Sequence, residues 1–163
     1  MGRAEIQDAD REEVAEFIER HWHSKMVICY GRPFYPHQEG GFIERRDGKI
    51  VGLLTYRFDG EDMELLTLNS TLVGQGIGSS LMLNAIEKAR RHKSRRIFLT
   101  TTNDNLPAIG FYQRLGFRIV AVRIGAVDEA RKIKPQIPKT GERGVEIHDE
   151  IVMELFVEPY LDA

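Results

Sequence analysis

The amino-acid sequence predicts a mixed α/β domain: a mostly antiparallel twisted sheet with one parallel pair of strands, flanked by helices. Two observations carry this. Residues 41–58 and 63–68 read as three strand-like runs joined by tight turns at Asp47-Gly48 and Asp59-Gly60. An Asp-Gly pair between apolar segments favours the primed turn that links antiparallel neighbours. The run 63–68 (MELLTL) then passes through a glycine-dense turn into a helical pattern over 79–91 and on to a second apolar run at 96–102. A connection of that length is a right-handed crossover between parallel strands.

In chain order, residues 10–20 (DREEVAEFIER) put Val14, Phe17 and Ile18 on one stripe of a helix. Asp8 or Asp10 can cap it, and Trp22 ends it by packing inward. MVICY (26–30) is a short strand closed by Gly31, and RPFYPHQEG (32–40), rich in proline and aromatic residues, reads as a loop. In SSLMLNAIEKARR (79–91), Leu81, Met82, Ala85, Ile86 and Ala89 form the apolar face, while Glu87, Lys88, Arg90 and Arg91 face water. RIFLTTT (96–102) is apolar and β-branched, hence a strand. Asn105 caps a helix that opens with Leu106 and Pro107, and Gly116 is its left-handed stop. FRIVAVRI (117–124) is a strand, 128–144 a short helical turn broken by Pro135 and Pro138 before a charged loop, and IVMELFV (151–157) the last strand. No repeat or linker divides the chain, so residues 1–163 are expected to form a single domain.

Bulk properties exclude several classes. A net charge of -2 argues against a nucleic-acid binder working by bulk electrostatics. A lone cysteine, Cys29, leaves no intrachain disulfide. No apolar stretch approaches membrane-spanning length and residues 1–13 lack a signal core, so a cytoplasmic protein without a membrane partner is expected. His21, His23, Cys29 and His37 are close in sequence, but their spacing matches no compact zinc pattern, and no metal site is expected. The basic run 90–96 complements the dipole at a helix end and reads as a solvated face.

The stretch 68–83 (LNSTLVGQGIGSSLML) carries chemistry. Gly74, Gly76 and Gly78 leave alternate positions without Cβ, so the backbone bends sharply and a ligand can approach its N–H groups. The following helix start contributes unpaired amides and the positive end of its dipole. Together they suit a phosphate or pyrophosphate, or else form a plain strand–helix connection. A Walker A loop would need lysine where Ser79 stands, and the third glycine of a dinucleotide fingerprint also falls on Ser79. A coenzyme pyrophosphate remains.

Two segments together carry a resemblance. Residues 73–78 resemble the coenzyme motif Arg/Gln-x-x-Gly-x-Gly/Ala, with Gly76 and Gly78 on its glycines and Val73 where the pattern has Arg or Gln. Residues 105–117 (NLPAIGFYQRLGF) look like an Asn-x-x-Ala…Tyr-x-x-Leu-Gly-Phe block. In order and separation they resemble the GNAT superfamily of acetyl-coenzyme-A-dependent N-acetyltransferases, over about residues 10–124.

The resemblance implies a GNAT-like fold in which strands 63–68 and 96–102 splay apart and admit the pantetheine arm of acetyl-CoA. That arm would bond to the backbone of Leu66 and Leu68. The pyrophosphate would rest on the amides of Gly74, Gln75, Gly76, Ile77, Gly78 and Ser79, with hydroxyls from Ser79 and Ser80. Asn105 binds coenzyme or only caps its helix. Tyr112 is implied as general acid near the thioester sulfur, and Glu64 as general base for the amine, often through water. Period-2 alternation puts Glu64, Leu66 and Leu68 on one face, where partial desolvation would raise the carboxylate's basicity. Asn69, Arg57, Tyr30 and residues 100–103 are acceptor-side candidates, and the segments 31–40 and 125–148 are expected to shape the acceptor pocket. The implied reaction is acetyl transfer from acetyl-CoA to an amine acceptor by direct attack, by a monomer or homodimer. No serine or cysteine has a visible basic partner for an acyl-enzyme. The alternative is a CoA-binding regulatory or scaffold protein of the same fold without catalysis.

Overall fold

The elements follow the apolar patterns closely in the middle of the chain and less so at its edges. The computed structural model describes residues 2–158. β1 (Arg3–Glu5) precedes α1 (Arg11–Trp22), and β2 (Val27–Cys29) pairs antiparallel with β3 (Arg32–Phe34) as a separate ribbon. β4 (Gly40–Arg46), β5 (Lys49–Asp59) and β6 (Asp62–Ser70) form the expected antiparallel meander. α2 (Ile77–Arg91) crosses over to β7 (Arg96–Thr102), which pairs parallel with β6. Then come α3 (Leu106–Arg114), β8 (Arg118–Arg123), α4 (Ala126–Ile133) and β9 (Glu150–Phe156). The main sheet runs β1-β4-β5-β6-β7-β9-β8, with β9 inserted between β7 and β8. No helix among the described residues is long and apolar enough to cross a membrane.

Each face of the sheet buries a helix. On one, Ile77, Leu81, Met82, Ala85 and Ala89 of α2 pack on Leu54, Met63, Leu65, Ile97 and Leu99. On the other, Val14, Phe17 and Ile18 of α1 pack on Ile43, Ile50 and Leu53. Each such side chain contributes roughly 1.5–3 kcal/mol by leaving water. Gly52 sets how closely α2 approaches. A Cβ there would meet Ile77 Cγ2 at 2.4 Å, so a larger residue would push away the helix whose first turn follows the glycines.

Several expectations are corrected. β1 has no apolar signature. It exists through pairing with β4, reinforced by an Arg3–Glu44 ion pair at 3.4 Å. The expected loop 32–40 contains β3 and a single 3-10 turn (Pro36–Gln38), and Pro33 is tolerated because the ribbon has only two strands. Asp10 stands at the N-cap of α1, but its carboxylate accepts from the Gln7 amide (2.8 Å) and Arg45 (3.0 Å) instead of helix amides. α2 begins at Ile77, two residues before the pattern suggests, and α4 is a regular helix where only a helical turn was expected.

The strict alternation along β6 also fails. The register to β5 slips from Thr55↔Thr67 to Tyr56↔Leu65, which leaves Leu66 as a bulge without a partner. Leu68 therefore packs in the α2-side core with Met63 and Leu65, while Leu66 packs with Val27 and Cys29. Glu64, Leu66 and Leu68 do not share a face.

Candidate functional site

The backbone makes the site before any side chain does. β6 and β7 pair at Asp62↔Arg96, Met63↔Ile97 and Glu64↔Phe98, and the pairing stops there. β6 continues against β5 to Ser70 and β7 continues against β9 to Thr102, so the two strands part. The bulge at Leu66 falls on the first stretch beyond the parting, and a bulge adds local twist. Leu66 thus has a register partner on neither side. Its carbonyl accepts a hydrogen bond from the Cys29 thiol at 3.7 Å.

A cavity of about 240 Å³ lies at this opening. Leu66, Thr100, Thr101, Thr102 and Asn105 line one side, with Trp22 and Cys29 beside them. The lining also includes Val127, Ala130, Lys134, Ile137, Ile147 and Glu150, the last the register partner of Thr102.

The glycine turn follows β6. Gly74 (φ 72°) and Gly76 (φ 70°) both take the left-handed conformation, which strains any residue with a Cβ. A Cβ built at either would meet nothing within 4 Å, so the turn's outer surface is open. Gly76 is the N-cap of α2 and no side chain caps the helix, so its first amides stay available. Val73, in the position where the motif has Arg or Gln, is 96% exposed. A cation nevertheless reaches the turn: Arg46, at the end of β4, donates to Gln75 Oε1 at 3.1 Å and to Glu44 at 3.4 Å. The sequence reading missed Arg46, because only the β4–β5 hairpin register brings it there.

Glu64 is fully buried. Its Oε1 accepts from Arg57 at 3.0 Å, with Arg32 at 3.9 Å, while its Oε2 is buried without a partner. Burial raises its pKa above the ordinary carboxylate value, opposed by the hydrogen bond and charge of Arg57. Tyr112, on α3, packs edge-on between Phe111 and Phe117. Burial first, then the neighbouring Cys29, pushes its phenol up, so it is protonated near neutral pH. The Cys29 thiol is also pushed up, by burial and then by Glu64. Asn105 caps α3, accepting from the Ala108 amide at 3.4 Å, and also lines the cavity. Asn69 accepts from the Trp22 indole at 2.8 Å.

Of the residues singled out from sequence, Leu66 and Asn105 lie on the cavity wall. Glu64 and Tyr112 are buried near it, each electrostatically coupled to Cys29 on that wall. Leu68 is in the core, and Arg57 is engaged with Glu64. Lys134 lies in the segment 125–148 that was expected to shape the pocket, without being singled out there, and Glu150 opens β9 just beyond it.

Residues 5–117, well over half of the chain, match the model of the acetyltransferase (GNAT) family. The chain belongs to the GNAT family. It is also similar to the uncharacterized protein YdhI of Bacillus subtilis (strain 168), 39% identical over 140 residues that cover 85% of this chain and 88% of that one. In structure it resembles the ribosomal-protein-S18-alanine N-acetyltransferase from Escherichia coli (TM-score 0.68, 16% identity, 98% and 96% of the two chains). It equally resembles a Bacillus subtilis acetyltransferase in complex with CoA (TM-score 0.69, 16% identity, 96% and 98%). At these identities the two structures speak for the fold. The GNAT match ends at Phe117, so the wall carrying Lys134 and Glu150 lies beyond the matched stretch.

Proposed function

We propose that the protein transfers an acetyl group from acetyl-CoA to an amine acceptor by direct attack on the thioester. The observation that carries this reading is the parting of β6 and β7 at the unpaired Leu66, beside an open glycine turn and a cavity at the same opening. Family membership supports the donor, and the turn suits its pyrophosphate: positive φ at Gly74 and Gly76, open space where a Cβ would sit, and an uncapped helix start.

The backbone of Leu66 and Leu68 would hold the pantetheine arm as an added strand would. The amides of Gly74, Gln75, Gly76, Ile77, Gly78 and Ser79, with the hydroxyls of Ser79 and Ser80, would hold the pyrophosphate. Arg46 would supply the charge that Val73 does not. The coenzyme supplies an activated acyl group.

The remaining steps are proton movements. An amine is protonated near neutral pH and attacks only after losing its proton. Glu64 would take that proton through its unpartnered Oε2, across water, and burial makes it more basic than an exposed carboxylate. Tyr112 would give a proton to the departing thiolate. Cys29 is an unsuitable nucleophile, since burial keeps it a thiol and its hydrogen bond goes to Leu66.

The test is release of free coenzyme thiol in the presence of an amine panel, for wild type and Tyr112→Phe. The variant should lose about 10²–10⁴-fold in kcat, the usual contribution of a general acid, with acetyl-CoA affinity unchanged by calorimetry. Unchanged turnover would remove Tyr112 from the mechanism. Acetyl-CoA binding with no thiol release from any amine would favour the non-catalytic reading.

A further inference from the structure

Lys134 is an unusual residue to find in this cavity. It is 3% exposed and lines the wall, yet its side chain has no ion pair or hydrogen bond to any described residue. Its backbone is fixed: the amide donates to Ala130 at 2.8 Å, and the carbonyl accepts from Ile137 at 3.2 Å. The carboxylate on the lining, Glu150, is satisfied by Arg123 at 2.5 Å and the Tyr30 amide at 3.3 Å. The cavity therefore holds one ammonium without a counter-charge, against the apolar surfaces of Leu66, Val127, Ala130 and Ile147. Most of the side chain is out of water, and only its Nζ reaches the space of the cavity. Burial lowers the pKa of Lys134, opposed by Cys29.

We infer that the cavity takes an amine acceptor bearing a single carboxylate on a small apolar body, and that Lys134 binds the carboxylate. This rests on the acetyl-transfer reading. The volume of about 240 Å³ lies below the roughly 300–1,000 Å³ of drug-sized ligand sites, which points to a molecule of amino-acid size. Among the described residues, Lys134 is the one lysine or arginine on a lining that otherwise carries His21, His23 and the Arg123-paired Glu150, which matches a single carboxylate.

The experiment compares matched acceptors that differ by the carboxylate: leucine against 3-methylbutylamine, and 5-aminopentanoate against pentylamine. Wild type should prefer the acid of at least one pair by about tenfold or more in kcat/KM, as expected for a hydrogen bond to a charged group. Lys134→Met should raise the KM for that acid by about 10- to 100-fold and abolish the preference, leaving acetyl-CoA affinity unchanged. Pentanoate, which cannot be acetylated, gives a readout free of catalysis: it should bind wild type calorimetrically and bind Lys134→Met at least tenfold more weakly. The unliganded variant should melt above wild type, because a buried unpaired charge is gone.

Amines without the carboxylate turned over as well as their acids in both pairs, or equal pentanoate affinity for the two proteins, would overturn the inference and leave acetyl transfer standing. Pentanoate binding through Lys134 with no thiol release from any acceptor would support the carboxylate site and remove acetyl transfer.

Discussion

At the scale of single residues, Glu64 is the most informative side chain. Its two oxygens differ, one held by Arg57 and one buried without a partner. Its folded-state pKa is raised above 4.5, so the folded protein binds this proton more tightly than the unfolded chain does. Its contribution to stability is then fully present below 4.5 and lost as pH rises through the folded value. Glu64→Gln should accordingly gain stability over wild type in urea melts at about pH 8, and the gain should vanish at about pH 4. A difference of equal size at both pH values would show that Glu64 is not penalised when charged. The position and type of Glu64 were legible, because a lone carboxylate in an apolar strand stands out. Its free oxygen was not, since that depends on where Arg57 and Arg32 reach across neighbouring strands.

At the scale of elements, the proposed donor site rests on the strand–turn–helix unit of β6 and α2, whose conformation can be tested apart from chemistry. Gly76→Val puts a β-branched residue at φ 70° and fills the open surface of the turn, so acetyl-CoA binding should be lost. Normal calorimetric affinity in a folded variant would sink the pyrophosphate assignment. Arg46→Ala should weaken acetyl-CoA binding by about 3- to 10-fold, with the difference shrinking at high salt, as for a partly exposed charge beside a helix terminus. Salt-independent affinity, equal to wild type, would leave Arg46 as a partner of Gln75 and Glu44 only. Elements with a strong apolar period, such as α1, α2 and β7, were legible within two residues. β1 and β3 were not, because backbone pairing defines them and their side chains are mostly exposed. The bulge at Leu66 was also invisible. Alternation assumes an unbroken ladder, and only the register to β5 reveals the slip.

At the scale of the molecule, the two sides of the site come from different parts of the chain. Residues up to Phe117 supply the opening, the turn, Glu64 and Tyr112, while α4, the segment after it and β9 supply the rest of the cavity lining. Acetyl-CoA should therefore slow amide exchange at residues 66–68 and 74–79 far more than at residues 126–134. At a hundredfold excess over its Kd it should stabilise the protein by about 2.7 kcal/mol. Protection spread evenly over both stretches would mean that the coenzyme also occupies the rest of the lining. The first part was legible because its motifs constrain backbone conformation. The wall was legible only as a segment: residues 125–148 were expected to shape the pocket, but which of their side chains the fold gathers could not be read from a helical turn and a charged loop.

The insertion of β9 between β7 and β8 bears on how the chain assembles during synthesis. β8 joins the main sheet only through β9, and β7 has β9 along its whole length on that side. Until residue 150 and its successors leave the ribosome, the apolar β8 has no neighbour and β7 presents a bare edge. Both are templates for pairing with another chain. A nascent chain stalled before residue 150 should be captured by chaperones or aggregate, whereas one stalled after Phe156 has emerged should not. The last strand thus governs the solubility of everything made before it.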